Sequence, residues 1–509
     1  MTESWDAVVI GSGLGGLTAA AAYAQRGKRV LILERLGNFG GAATIYRHNS
    51  LTIEASLHET DGATALGRAG LFSRLGLSTD IKLAPTDNFY EVRGGPLPAS
   101  ITIGPGLAAT QERLIEALPR FRQVIEKALS ELRTLHDAVG DLEGVNERGA
   151  AAILAGVLSG RLFKLAAVTR KTLAQRWHEL LGDAEALKFA LGAPIFYFDD
   201  DPAALSYLLY AAVWSRYVED GAFYIKGGSR ALSLALVQKA RRVGGQARHR
   251  CEAMTIMLDG RGRVAGVRFK DAAGVEHEAL APVVFANAAP ARIAEMLPAE
   301  TRGAFAHAFE AHEPSISLFT VALGLSKPAS SFGVSSYSTF IFPDDLSRFA
   351  DVPQACARFA AAPADKMPPY VLADYGRLDA GLRQDGEPYL VSLCGVDRLS
   401  WWEGMSEAEE MSRREAWRAA LVSDLDRRFP GLGAATVHAE IAVARTMKNR
   451  LGTPFGEVYG FRPTPTRLFA RAPSARTPVP GLFIASAYTV SGGFAGAMQG
   501  GLMAADAAG

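Results

Sequence analysis

Clustered cysteines, an excess of one charge and long apolar runs are all missing from this chain of 509 residues, and each absence removes a class of protein. The three cysteines, Cys251, Cys356 and Cys394, are widely spaced and form no C-x-x-C pair. That excludes a disulfide framework and a cysteine-built metal or redox motif, and it fits inert thiols in a reducing cytoplasm. The nine histidines never fall in an H-x-x-x-H spacing, so no metal is expected. Lysine and arginine number 54 against 53 aspartates and glutamates, a net charge of +1, so no global field gathers nucleic acid. Although 49% of the residues are hydrophobic, no apolar run reaches the roughly 18 residues of a spanning helix. Ser486 and Ser491 sit in no G-x-S-x-G elbow, which argues against a hydrolase. The first ten residues already read as a buried strand. No signal peptide fits ahead of it, and a cytoplasmic location is expected.

Glycine, in contrast, is placed with a purpose at the start. The apolar run Ala7–Ile10 leads into Gly11, Gly13 and Gly16 in G-x-G-x-x-G spacing, then a helix pattern of small residues from Leu17 to Ala24. A second apolar run, Val30–Leu33, ends in Glu34. The first glycine permits a tight turn, the second lets backbone approach a pyrophosphate, and the third lets helix and strand pack closely. The helix N-terminus offers free N–H groups to phosphate. A carboxylate at the end of the second strand can accept from a ribose diol. Strand, glycines, helix, strand and acid in this order point to dinucleotide binding.

A chain of this length exceeds one simple core and predicts two or three domains. Residues 65–220 read as mostly helical, with apolar steps over Leu118–Leu142 and Ala150–Trp177. The chain changes character at Phe223-Tyr-Ile-Lys-Gly-Gly-Ser229. A helix over Ala231–Arg242 follows, then strands over Ala253–Leu258 and Val264–Phe269 joined by the turn Asp259-Gly-Arg-Gly262. The end returns to the opening style, with a strand in Pro480–Ser486, a turn at Ser491-Gly-Gly493 and a small-residue helix to Ala508. The expected fold class is α/β. A Rossmann-like nucleotide-binding domain would be built from three separated segments, 1–64, 222–294 and 441–509. Residues 65–221 and 295–440 would form an inserted α+β substrate domain.

Glu34 argues against NADP, whose 2′-phosphate it would repel. Gly40-Gly41-Ala42-Ala43-Thr44 follows the acid at the spacing seen in the FAD-binding group that holds amine oxidases and phytoene desaturases, and the chain resembles that group. More narrowly it resembles the branch of bacterial phytoene desaturases, carotenoid cis-trans isomerases and retinol saturases. The residues that carry this are Tyr224–Leu232, Gly244-Gly245, Val284-Phe-Ala-Asn-Ala-Ala-Pro290, Gly452–Gly460 and Pro480–Met503. The resemblance implies a GR2-type FAD domain. Gly11, Gly13 and Gly16 would line the pyrophosphate, Glu34 the adenosine ribose, and Gly41 and Ala42 the flavin side. Ala253 would lend its backbone to adenine, and the Gly492-Gly493-Phe494 turn would aim a helix N-terminus at the flavin pyrimidine. Many relatives carry Gly-Asp where Ala485-Ser486 stands here, so Ser486 would substitute a hydroxyl.

In the resembling family the loop Ile53–Gly62 passes beside the isoalloxazine. It carries Glu54, His58, Glu59 and Asp61. His58 or Glu59 is therefore the candidate acid–base group, with a loop that merely positions the flavin as the competing reading. The aromatics of Ile195–Phe198 and Tyr207–Trp214 suit either the wall of a lipid tunnel or a core. Asp199-Asp200-Asp201-Pro202 reads as a helix start rather than a metal cluster. Residues 149–178 hold Arg161, Lys164, Arg170, Lys171 and Arg176 on a helical apolar pattern, a candidate for docking on an anionic membrane or a solvated basic face. The resemblance implies an FAD-dependent oxidoreductase, first of all a desaturase of a long apolar lipid such as a carotenoid or an acyl chain, with oxygen or a quinone as electron acceptor. Saturation or cis-trans isomerisation of a polyene, amine oxidation, and a prenyl-lipid carrier of the Rab escort type are the alternatives.

Overall fold

The structure is a computed structural model and describes residues 2–61, 68–143, 156–157, 159–469 and 474–509. At its centre is a five-stranded parallel sheet in the order Gln246–His249, Val30–Glu34, Ala7–Ile10, Val284–Ala286, Leu482–Ile484. The two opening strands are buried along their whole length, as their unbroken apolar sequence requires of a parallel sheet covered on both faces. Alternation divides their side chains. Ala7, Val9, Val30 and Ile32 pack with the helices Leu14–Ala24, Ser229–Arg241 and Gly493–Ala508. Val8, Ile10, Leu31 and Leu33 pack against a second sheet of four strands, formed by Thr2–Ser4, Glu276–Leu280, Val264–Lys270 and Glu252–Leu258. The helices Leu14–Ala24 and Gly493–Ala508 touch through glycine. A Cβ on Gly501 would stand 2.2 Å from the Gly15 carbonyl oxygen, so the small residues of both helices are a condition of their contact.

A seven-stranded mixed sheet stands beside this domain. Its order is Thr436–Ala442, Ser317–Leu325, Tyr389–Asp397, Tyr370–Asp374, Ser338–Ile341, Tyr90–Arg93, Ile101–Ile103. The helix Glu407–Arg428, started by a Ser406–Glu409 capping box, packs Trp417, Leu421 and Leu425 on one face. Helices Leu107–Ala117, Arg122–Glu143, Leu173–Leu181 and Tyr207–Glu219 build the core on the other.

Two readings of this region need correction, and a third, open between tunnel wall and core, falls to the core. Asp199–Asp201 does not start a helix, because the helix begins at Tyr207 with Ser206 as its N-cap. The acids are taken by arginines instead: Arg462 Nε donates to Asp199 at 2.6 Å and Arg398 to Asp200 at 2.6 Å. The stretch 150–177, part of which lies outside the described residues, is not one helix. The described part holds Arg161–Val168 and then Leu173–Leu181, restarted by a Thr172–Gln175 capping box. Its basic residues are largely neutralised by neighbouring helices. Arg161 pairs with Asp137 and Asp141, Lys171 with Glu179, and Arg176 with Glu131 and Glu179. Finally, the aromatics of Tyr207–Trp214 are core. Tyr210 donates to the Leu191 carbonyl at 2.7 Å and Trp214 to the Tyr90 hydroxyl at 3.0 Å. The space they enclose is about 10 Å³, on the order of one water.

Candidate functional site

The carboxyl ends of the parallel strands gather the residues expected to hold a dinucleotide. Gly11, at φ +84°, makes the turn out of the first strand, and its N–H donates to the Leu33 carbonyl at 2.8 Å. Gly13 caps the first helix, and Gly16 lies so close to the Gly11 carbonyl that a Cβ would approach it to 2.4 Å. Glu34 is buried at the end of the neighbouring strand. Its Oε2 accepts from Ser12 N at 2.9 Å and Ser12 Oγ at 2.6 Å, and its Oε1 from Leu36 N at 2.7 Å. Three donors fix the carboxylate, and its remaining lone pairs are free to accept from a diol. The Gly40-Gly41 turn closes over this point, with a Cβ on Gly41 only 3.2 Å from Gly13 Cα. Ala42 follows, its carbonyl accepting from Ser56 Oγ at 2.8 Å. Cys251 N donates to the Glu34 carbonyl at 2.8 Å, which brings the strand of Ala253 to the same edge. Ser486 abuts the start of the first helix, since a Cβ on Gly15 would fall 2.8 Å from Ser486 Cα. Gly493, at φ +78° with open space where its Cβ would be, and Phe494 head the closing helix.

Two further residues suit an anionic dinucleotide. The orientation of the Asn287 amide that satisfies its neighbours accepts from Gly13 N at 2.9 Å and donates to the Ala485 carbonyl at 3.0 Å, joining the first turn to the last strand. Arg467 is 3% exposed and donates to the Tyr488 carbonyl at 3.4 Å, while its Nε and Nη1 have no partner among the described residues. Burial lowers its pKa to about 10. A buried guanidinium with no counter-charge is costly, and a pyrophosphate is the kind of group that would compensate it. The residues present therefore fit FAD.

The four ionisable groups of the adjoining loop divide by their partners. Glu54 is an anchor. Its carboxylate accepts from Tyr224 OH, Ser229 N, Ser229 Oγ and the Leu57 amide. Asp61 lies 3.9 Å from Arg216. His58 and Glu59 remain, held by phenols on their backbone: Tyr375 OH donates to the Leu57 carbonyl, Tyr337 OH to that of His58, and Tyr217 OH to that of Glu59. Glu59 Oε1 accepts from Tyr197 OH at 2.9 Å, and its Oε2 is buried with no partner among the described residues. Burial pushes the Glu59 carboxyl up to about 8, against the Tyr197 hydrogen bond that favours the ionised form. Burial pushes the His58 imidazole down to about 4. Near neutrality both are uncharged, and the acid proton belongs on Oε2.

His58, Tyr197, Tyr217 and Tyr459 are only partly buried. Tyr459 also covers the start of the closing helix, where a Cβ on Gly492 would strike its ring. Burial above all raises the Tyr217 phenol, and the nearby Asp61, Glu59 and Tyr459 raise it further. A line of rings thus runs from the closing helix to Glu59. Sequence reasoning missed Tyr337, Tyr375 and Tyr459 as site residues, because single tyrosines in unrelated strands and loops carry no spacing signal. It quoted Asn287 only in passing and Arg467 not at all; a polar residue directly after a buried strand was the available hint for the first.

Comparison with known proteins bears on the fold and on the resemblance. A family model described as an NAD(P)-binding Rossmann-like domain matches residues 9–64. An all-trans-retinol 13,14-reductase of Rattus norvegicus is 24% identical, over 99% of this chain and 86% of that protein. A chloroplastic prolycopene isomerase of Daucus carota is 22% identical, over 95% of this chain and 76% of its own length. Among solved structures, the cyclohexylamine oxidase from Brevibacterium oxydans superposes with a TM-score of 0.58 at 15% identity, over 99% of this chain and 98% of that one. At that identity the likeness shows the fold alone. The resemblance to the phytoene desaturase, carotenoid isomerase and retinol saturase branch of the amine oxidase-type flavoproteins stands, with a Rossmann-like FAD-binding fold.

Proposed function

We propose that the protein is an FAD-dependent oxidoreductase of a long apolar polyene, with Glu59 as proton donor, working in the direction that saturates a double bond. The protonation state of Glu59 carries this reading. A carboxyl with its pKa near 8 is ionised in only about a tenth of molecules at pH 7. It is ready to give a proton, whereas the desaturation expected from the sequence needs a group ready to take one. The whole-length likeness to a retinol reductase supports the same direction. Desaturation becomes the second reading, carried by the ionised Glu59 above pH 8.

When bound, FAD supplies the hydride chemistry, and the chain supplies orientation and a dry site. Gly11, Gly13 and Gly16 would follow the pyrophosphate, Glu34 the adenosine ribose and Ala253 the adenine. Gly41 and Ala42 would lie along the flavin, Ser486 at the ribityl chain or pyrophosphate, and Gly493 and Phe494 at the pyrimidine edge, where helix N–H groups stabilise negative charge. Tyr197 fixes Glu59 through Oε1, leaving Oε2, enclosed in this structure, as the oxygen whose proton a turn of the side chain would bring to a substrate carbon. His58, neutral at working pH, shapes the site rather than moving a proton. The line of tyrosines excludes water from that transfer.

A substrate of this kind is drawn from a bilayer. No helix among the described residues is long and apolar enough to cross a membrane. The surface that supports docking is apolar rather than basic: Leu142, Val157 and Phe163 are 45%, 41% and 69% exposed, by the end of the long helix Arg122–Glu143.

The test is anaerobic. Photoreduced protein is mixed with retinoids and carotenoids in deuterated buffer. Flavin reoxidation together with a product richer by two hydrogen atoms, both arriving as deuterium because the N5 position of reduced flavin exchanges with solvent as a carboxylic acid does, supports saturation. Isomerised product with no change in flavin redox state would favour the isomerase kind of chemistry suggested by the carrot relative. Failure of every polyene to reoxidise the flavin or to change would sink the reading.

A further inference from the structure

Two histidines and a glutamate, far apart in sequence, meet on the surface beside the hairpin that leads into the loop of Glu59. His48 ends the strand Ile45–His48, the first of that hairpin. His438 and Glu440 sit two residues apart on Thr436–Ala442, the edge strand of the seven-stranded sheet, and so share one of its faces. Gly324, the cross-strand partner of His438, makes the meeting possible. A Cβ there would stand 3.1 Å from His438 Cβ and 3.4 Å from Cδ1 of Leu51, the hairpin residue paired with His48. His48 Nδ1 lies 3.4 Å from His438 Nε2 and 3.1 Å from Glu440 Oε2, and the three ligand atoms fall within 4.8 Å of one another.

These spacings suit three ligands pointed at a common ion. Zinc bonds of about 2.0–2.2 Å to nitrogen and oxygen set tetrahedral edges of about 3.3–3.6 Å between ligand atoms. The hydrogen-bond geometry points the same way. Glu440 Oε2 is shut off from solvent and accepts no hydrogen bond among the described residues, although His48 Nδ1 is 3.1 Å away. Two imidazole nitrogens facing each other must share one proton, whereas a cation takes a lone pair from each. Arg47, next to His48, is drawn off by Glu387 at 3.1 Å.

We propose that His48, His438 and Glu440 form a Zn²⁺ site of the two-histidine, one-carboxylate type, with water as the fourth ligand. The sequence could not show it, because His48 and His438 are 390 positions apart. The ion would clamp the hairpin, whose second strand ends at Glu54, to the edge of the large sheet. It would thereby stiffen the loop that carries His58 and Glu59.

Full-length protein, treated with chelator and dialysed, is titrated with Zn²⁺, with Co²⁺ as the spectroscopic probe of a tetrahedral site. One equivalent should bind and raise the thermal midpoint. His48→Ala and His438→Ala should each lose the binding and the thermal shift, and Glu440→Gln should weaken both. Loss of a direct ligand should exceed the roughly 10–100-fold that outer-shell changes cost in affinity. The side chains are partly or fully exposed, so far-ultraviolet circular dichroism of the variants should match the parent. Absence of stoichiometric binding in the parent, or unchanged binding in either histidine variant, overturns the site.

Discussion

Backbone builds the dinucleotide crevice, whereas side chains from four separate stretches build the surroundings of Glu59. In the crevice the decisive features are a turn at Gly11, a helix start at Gly13 and close approaches at Gly15, Gly16 and Gly41. Around Glu59 they are the hydroxyls of Tyr197, Tyr217, Tyr337 and Tyr375 and the desolvation they enforce. A site of backbone depends on spacing along the chain and is rigid by construction. A site of buried side chains depends on the whole fold to exclude water, and its chemistry is tuned by that exclusion.

The contrast predicts that damage at the two places will separate. Glu59→Gln should lower turnover by about 10²–10⁴-fold, the usual contribution of a general acid, with flavin content unchanged. Comparable loss of flavin would show that the loop only holds the cofactor. Glu34→Arg should do the reverse. It leaves the ribose hydroxyls unpaired at roughly 1–3 kcal/mol, about 10–100-fold in FAD affinity measured by fluorescence titration; full occupancy at low FAD would remove Glu34 from the ribose. Arg467→Gln should weaken FAD by a similar or smaller factor, since it removes a buried cation whose Nε and Nη1 have no partner among the described residues. An unchanged affinity would make that cation a structural oddity. Tyr197→Phe should act most gently. Its hydrogen bond favours ionised Glu59, so its loss should move the alkaline limb of the rate upward with flavin binding untouched, and a downward move would contradict the assignment.

What could be read from the sequence follows the same division. The opening strand, its glycines, Glu34, the hairpin at Asp259–Gly262 and the closing helix were all visible, because each is a local pattern with a local cause. The loop of His58 and Glu59 was visible only as a cluster of ionisable residues, and which of them matter was not. Glu54 proved to be spent on Tyr224 and Ser229, and the neutral state of Glu59 arises from rings contributed by distant elements. The misreadings have the same origin. The basic stretch looked unpaired because its acids, Glu131, Asp137 and Asp141, lie on the preceding helix. Asp199–Asp201 looked like a helix start because its arginines, Arg398 and Arg462, come some 200 residues later or more.

The pH dependence of the single-turnover rate, with reduced flavin and a polyene substrate, tests the central claim most directly. If protonated Glu59 is the donor, the rate is flat below about pH 8 and falls roughly tenfold per unit above it, and Glu59→Gln abolishes that limb. A rate that climbs through pH 8, or a limb that survives in Glu59→Gln, would contradict it.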